Sequence, residues 1–148
     1  MKFRLTTNVN QNYLKVKSGF NADLFKALNP PFPPVKLLRF DGSSKGDLVS
    51  LELNFIFFKQ VWTSEITADH LDRNEYFFVD EGLKLPFFLK KWHHKHRIIS
   101  DGNDQAKIID EISFSSPIRL LDYLLYPLLY FQFSMRKPIY KKVFSKEN

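Results

Sequence analysis

The chain has 148 residues, a net charge of +6 and no cysteine. That length suits one domain around one core, spanning 1–148, and the lack of thiols excludes disulfides, zinc–thiolate sites and cysteine nucleophiles. With 16 Phe, 6 Tyr and 2 Trp the chain is too rich in large rings to be disordered, and the missing cysteines fit a reducing, cytoplasmic setting.

Lys2 to Val9 alternates polar and apolar residues and reads as a first strand rather than a signal peptide. Phe20 to Leu28 reads as a short helix with Asn21 as its N-cap and Phe20, Leu24 and Leu28 on one face. The run Asn29-Pro30-Pro31-Phe32-Pro33-Pro34 stops any helix, because proline lacks a donor and restrains its predecessor. Val35 to Phe40 resumes as a strand, and Asp41 to Gly46 is a turn. In the next strand Val49, Leu51, Leu53 and Phe55 share one face and Ser50, Glu52 and Asn54 the other. Lys59 to Thr67 and Glu75 to Glu81 give two more strands, and Trp92 to Ser100 with Gln105 to Ser115 form a hairpin. About seven strands on mostly short loops predict an antiparallel sheet.

Ser116 and Pro117 are placed to open a last helix as N-cap and first helical residue. Leu121, Leu124, Leu128, Phe131 and Met135 follow at spacings of three and four, a stripe expected to cover Leu51, Leu53 or Phe55 of the sheet. Pro127 is expected to kink or split this helix. Tyr126, Leu129, Tyr130 and Phe133 fall on other faces, where they could serve a protein partner, a second copy or a lipid surface. The segment is too short and too polar to span a membrane, with Arg119, Asp122 and Gln132 inside it. The residues from Lys141 onward, and 144–148 above all, read as a frayed tail.

The hairpin carries the chemistry. Lys91, His93, Lys95 and Arg97 form one basic face, with His93 and also His70 in solvent, while Trp92, His94, His96 and Ile98 form the other face. Ala106, Ile108, Asp110, Ile112 and Phe114 share a face of the partner strand. A three-residue loop, Gly102 to Asp104, pairs Asp101 with Gln105, and counting back pairs His96 with Asp110, His94 with Ile112 and Trp92 with Phe114; a slip of two residues instead pairs Asp110 with His94. A buried carboxylate thus meets an imidazole. Two histidines on a strand are too few for a usual zinc site, although Asp110 could be a third ligand; no metal or cofactor is expected. No phosphate loop, nucleophile elbow, metalloprotease helix or nucleic-acid motif is present in the sequence.

Gly82 to Arg136 resembles the bacterial START-like, or SRPBCC, superfamily. The resemblance is to a branch with a Trp-x-His-x-His-x-aromatic strand, a Gly turn, an Asp-x-Val-x-Tyr strand and a Pro-led helix ending in Phe and Arg. Trp92, His94, His96, Gly102, Asp110, Ile112, Phe114, Pro117, Phe131 and Arg136 match, while Ile98 and Ser113 depart from the pattern. The resemblance implies an α+β helix-grip fold, a curved antiparallel sheet around a long C-terminal helix. It also implies a cavity between them that holds a lipid, sterol or polyketide, and some relatives are cyclases. Trp92, His94, His96, Asp110, Leu51, Leu53, Phe55, Leu124, Leu128 and Phe131 are the expected ligand contacts. The expectation is a non-catalytic binder of a hydrophobic small molecule. One alternative is a cyclase or hydratase using His94, His96 and Asp110 for proton transfer. The other is an interaction module with a vestigial pocket.

Overall fold

A computed structural model describes residues 1–145. The strands are β1 (Lys2–Val9), β2 (Val35–Phe40), β3 (Leu48–Phe55), β4 (Phe58–Leu71), β5 (Glu75–Lys84), β6 (Lys91–Ser100) and β7 (Ala106–Ser115). They form one antiparallel sheet in the order β1-β7-β6-β5-β4-β3-β2. Alternation drives it: every second residue of β1 is buried, from Phe3 to Val9, and β7 buries Ile108, Asp110, Ile112 and Phe114 on the same parity. Register shifts between Thr63 and Ser64 and between Ile66 and Ala68 interrupt the long β4–β5 pair, the kind of irregularity that bends a strand.

The chain crosses from one sheet edge to the other through α1 (Tyr13–Ser18) and α2 (Ala22–Ala27). Asn21 caps α2 as expected, its side chain accepting from the backbone N–H of Asp23 and Leu24, and Leu24 and Leu28 are buried. Helix α1, capped by Asn12, was not anticipated, because Gln11 to Gly19 holds too few apolar residues to show a period.

Helix α3 (Arg119–Ser134) and helix α4 (Arg136–Val143) close the structure. Here three expectations are corrected. The helix faces the sheet with Leu129 and Phe133, which are buried, while Leu124, Leu128 and Phe131 are 63%, 51% and 61% exposed. The predicted stripe is therefore the outer face. Apolar residues surround α3, so periodicity alone could not choose the phase; packing of Phe133 on Phe3, Trp92 and His94 does. The helix runs unbroken through Pro127, which is exposed; the carbonyl that loses its donor, on Tyr123, lies on the solvent side, and the break comes at Met135. Ser116 is not the N-cap. The cap position is Ile118, and Ser116 instead donates its backbone N–H to the Asp122 carboxylate at 2.6 Å.

The expected tail is also corrected. Tyr140, just before the expected tail, is 1% exposed, and Phe144 is 4% exposed and stacks on Phe20. Gly19 makes room for it, since a Cβ there would lie 2.5 Å from the Phe144 ring. Residues 146–148 of the expected tail lie outside the described residues.

Candidate functional site

The β6–β7 hairpin turns through Gly102, whose φ of +100° suits glycine, and Asp101 N–H donates to the Gln105 carbonyl. The predicted register is the observed one: His96 pairs with Asp110, His94 with Ile112 and Trp92 with Phe114. Asp110 then bridges both rings. His94 Nε2 lies 2.8 Å and His96 Nδ1 2.9 Å from the same oxygen, Oδ1. A carboxylate only accepts, so both ring nitrogens donate, and in a neutral His96 the lone pair is left on Nε2. Burial opposes the Asp110 charge, but the hydrogen bonds from His94 and His96 outweigh it and hold the carboxyl far below its usual range. Burial pushes the His94 imidazole below its ordinary value against the pull of Asp110. The three ligating atoms lie within 4.8 Å of one another, so they could also hold a metal in place of the two protons.

Beside this clasp a cavity opens between the sheet, α2 and the inner face of α3 and α4. Its volume, counted as space open to the centre of a water-sized sphere, is about 160 Å³. One water needs about 10–15 Å³ on that scale, so the space holds a small organic molecule or a cluster of waters. Leu24, Leu28, Val49 and Phe78 supply apolar wall. Of the expected contacts, Leu51, Leu53, Trp92, His94 and His96 line the cavity. Asp110 lies behind the histidines, and Phe55 sits at the sheet end against Phe32, Phe58 and Phe88. Leu124, Leu128 and Phe131 point away with the outer face of α3. Leu129 and Phe133, expected at a partner surface, are cavity wall instead. Tyr126 and Tyr130 pack edge-on against Phe3, with Tyr130 partly exposed.

The basic face of β6 is solvated and paired. His93 meets Glu81 at 2.9 Å, Arg97 meets Glu75 and Glu111, and Lys95 lies over the Phe77 ring. His70 is exposed beside Asp72.

Three cavity residues escaped the sequence reading: Asp80, Tyr140 and Arg136 in its polar role. Asp80 sits opposite His94 in the β5–β6 register. Ser64 Oγ donates to its Oδ2 at 3.0 Å, whereas its Oδ1 is buried without a hydrogen-bond partner. Burial raises the Asp80 carboxyl to about 6, opposed by the Ser64 hydroxyl, the Arg136 charge, the nearby Trp92 indole N–H and the His93 charge. Tyr140 Oη and His96 Nε2 are likewise buried and unpartnered, and burial pushes the Tyr140 phenol upward, so it keeps its proton. All three of these side chains line the same cavity. The signal for Asp80 was its parity: it shares a face with Tyr76 and Phe78. Tyr140 offered none, lying just before what read as tail.

Comparison with known proteins falls on the fold. No family model and no curated protein matches the chain. Among solved structures, norcoclaurine synthase from Thalictrum flavum, in complex with dopamine and hydroxybenzaldehyde, superposes with a TM-score of 0.68. It shares 12% identity, over 100% of this chain and 88% of that one. The chain has the helix-grip fold. The Zhui aromatase/cyclase from Streptomyces sp. R1128 shares it at 17% identity and a TM-score of 0.58, over 80% and 69% of the two chains. A conserved protein from Geobacillus kaustophilus shares it at 12% identity and a TM-score of 0.68, over 97% and 95%. In this helix-grip chain the gripped helix contributes Leu129, Gln132 and Phe133 to the cavity, and α4 adds Arg136 and Tyr140.

Proposed function

We propose that this chain binds, without transforming it, a small molecule with an apolar body and a hydrogen-bonding end. The observation that carries this is the set of three unpartnered buried polar atoms, Asp80 Oδ1, His96 Nε2 and Tyr140 Oη, on the wall of one otherwise apolar cavity. A buried polar atom left unsatisfied costs about 1–3 kcal/mol, so the arrangement makes sense when a guest or ordered water completes it. Two of the atoms are acceptors, the third is a hydroxyl, and Arg136 adds a cation nearby. A phenol or alcohol on a ring system fits that set. The helix-grip synthase noted above holds dopamine and hydroxybenzaldehyde, both hydroxylated rings, which supports the size and chemistry.

A second reading is acid–base catalysis on such a guest. Its supporting observation is that His96, oriented by Asp110 with its Nε2 unpartnered, lines the same cavity as Asp80, whose carboxyl is raised to about 6. A vestigial pocket fits less well, because a filled cavity would leave the three polar atoms without purpose.

Naphthol and naphthalene, titrated against the protein by fluorescence, test the proposal. Naphthol is expected to bind about tenfold tighter or more, the worth of a hydrogen bond to a charged or buried partner. That advantage should vanish in Asp80→Asn combined with Tyr140→Phe. Equal binding of both probes, or of neither, contradicts it. Native mass spectrometry of freshly purified protein then identifies what it carries, and turnover of that molecule would replace the first reading by the second.

A further inference from the structure

The end of the sheet where β3, β5 and β7 finish has an unusual surface. Four connections meet there: residues 28–34, the β3–β4 turn, the β5–β6 loop and the β7–α3 link. The backbone ties them together, with Asn54 N–H donating to Pro34 O at 2.9 Å and Lys90 N–H to Ser115 O at 2.8 Å.

The β3–β4 turn is the first anomaly. Phe55 pairs with Phe58, which leaves Ile56 and Phe57 as a two-residue turn, 81% and 94% exposed. Such turns ordinarily carry Asn-Gly, Asp-Gly or another pair tolerant of positive φ. An Ile-Phe tip works against local turn chemistry, and departures of that kind concentrate where a surface has a task. Rings continue outward from the tip. Phe32 meets Phe55, Phe58 stacks on Phe55, Phe87 meets Phe58, and Phe32, Phe58 and Phe87 are all exposed. Gln132 donates to the Phe32 carbonyl, which joins this patch to α3 and its exposed stripe of Leu120, Leu124, Leu128 and Phe131.

Charge completes the picture. Residues 54–59, 84–91 and 115–121 contain Lys59, Lys84, Lys90, Lys91 and Arg119 and no carboxylate. The nearest acids are engaged, Glu52 with Lys59 and Asp122 with Ser116. No helix among the described residues is long and apolar enough to cross a membrane, so the apolar surface lies on the molecule rather than spanning anything.

We propose that this end of the sheet, with the outer face of α3, docks on an anionic lipid surface. Ile56 and Phe57 would enter the acyl boundary while Lys84, Lys90, Lys91 and Arg119 meet the headgroups. Lipid is favoured over a protein partner because the most exposed rings stand on separate loop tips rimmed by Lys84, Lys90, Lys91 and Arg119, with no carboxylate in the loops themselves. That arrangement suits a soft, negatively charged plane. The proposal does not depend on what the cavity binds.

Sedimentation with vesicles tests it. Phosphatidylcholine vesicles are compared with vesicles of about three parts phosphatidylcholine to one part phosphatidylglycerol, at low salt. The protein is expected on the anionic vesicles and largely free of the neutral ones. Ile56→Ser with Phe57→Ser, at fully solvated positions, should weaken partitioning about tenfold or more while the thermal transition stays unchanged. Lys90→Gln with Lys91→Gln should weaken it about tenfold on anionic vesicles. Absence from both vesicle types, or wild-type partitioning by the Ser double variant, overturns the proposal. So does a concentration-dependent dimer that the Ser variant abolishes, which would give the surface to a second copy.

Discussion

Strand β6 separates two aspartates in different surroundings, Asp110 buried and Asp80 half-buried. On its β7 side Asp110 accepts from His94 and His96 through one oxygen, and its charge is secured by the fold itself. On its β5 side Asp80 has one hydroxyl from Ser64 and an oxygen with no partner, against a cavity. Asp110 is buried and Asp80 half-buried, so desolvation does not explain why Asp110 is the lower of the two; the two close imidazole donors on Asp110 do. Asp110 is held far below the usual carboxylate value and Asp80 is lifted to about 6. The satisfied carboxylate fixes hairpin register and aims His96. In the proposed reading it is the unsatisfied one that takes the guest.

Breaking the satisfied side should cost most. Asp110→Ala leaves two buried imidazole donors without their acceptor, and stability measured by denaturant titration is expected to fall by about 3–5 kcal/mol. A loss within error would mean the clasp is not formed. The wall common to both sides comes next. Leu129→Ala should cost about 2–5 kcal/mol, and Leu128→Ala, one position earlier but facing solvent, should stay within about 0.5 kcal/mol. Equal losses would put α3 in the wrong phase.

On the open side the sign reverses. The folded Asp80 value of about 6 lies above the unfolded value of about 3.9, so the folded state binds the proton more tightly. Its contribution is fully present below about pH 4 and is lost as pH rises through about 6. Asp80→Asn is therefore expected to raise stability at pH 7 by about 1–3 kcal/mol, with the gain vanishing near pH 4. Asp110 behaves oppositely: its folded value lies below the unfolded one, so its contribution holds above about pH 4 and is lost on acidification. Tyr140→Phe, which removes an orphaned hydroxyl, should change stability by about 1 kcal/mol or less while weakening naphthol binding.

Much of this contrast was legible in the sequence on one side only. The clasp followed from parity, because with a period of two every register that keeps the apolar faces together brings Asp110 to the histidine face, and loop length favoured the pairing with His96. The strand count, the Asn21 cap and the antiparallel sheet were legible for the same local reasons. The phase of α3 was not, since leucines lie on both of its faces and only the rings they meet decide which is buried. Asp80 was overlooked, although its parity with Tyr76 and Phe78 marked it, because its partners lie on other strands. Tyr140 and Phe144 sit among lysines and gain their burial from Gly19 and Phe20, more than a hundred residues away.

The most direct test of the contrast is the carbon-13 titration of the two aspartate side-chain carboxyls by NMR, in ligand-free protein. Asp80 is expected to titrate with a midpoint near 6 and to shift when naphthol is added, while Asp110 stays ionised throughout the range in which the protein remains folded. An Asp80 midpoint near 4 that ignores naphthol, or an Asp110 that titrates in the folded protein, would contradict the account.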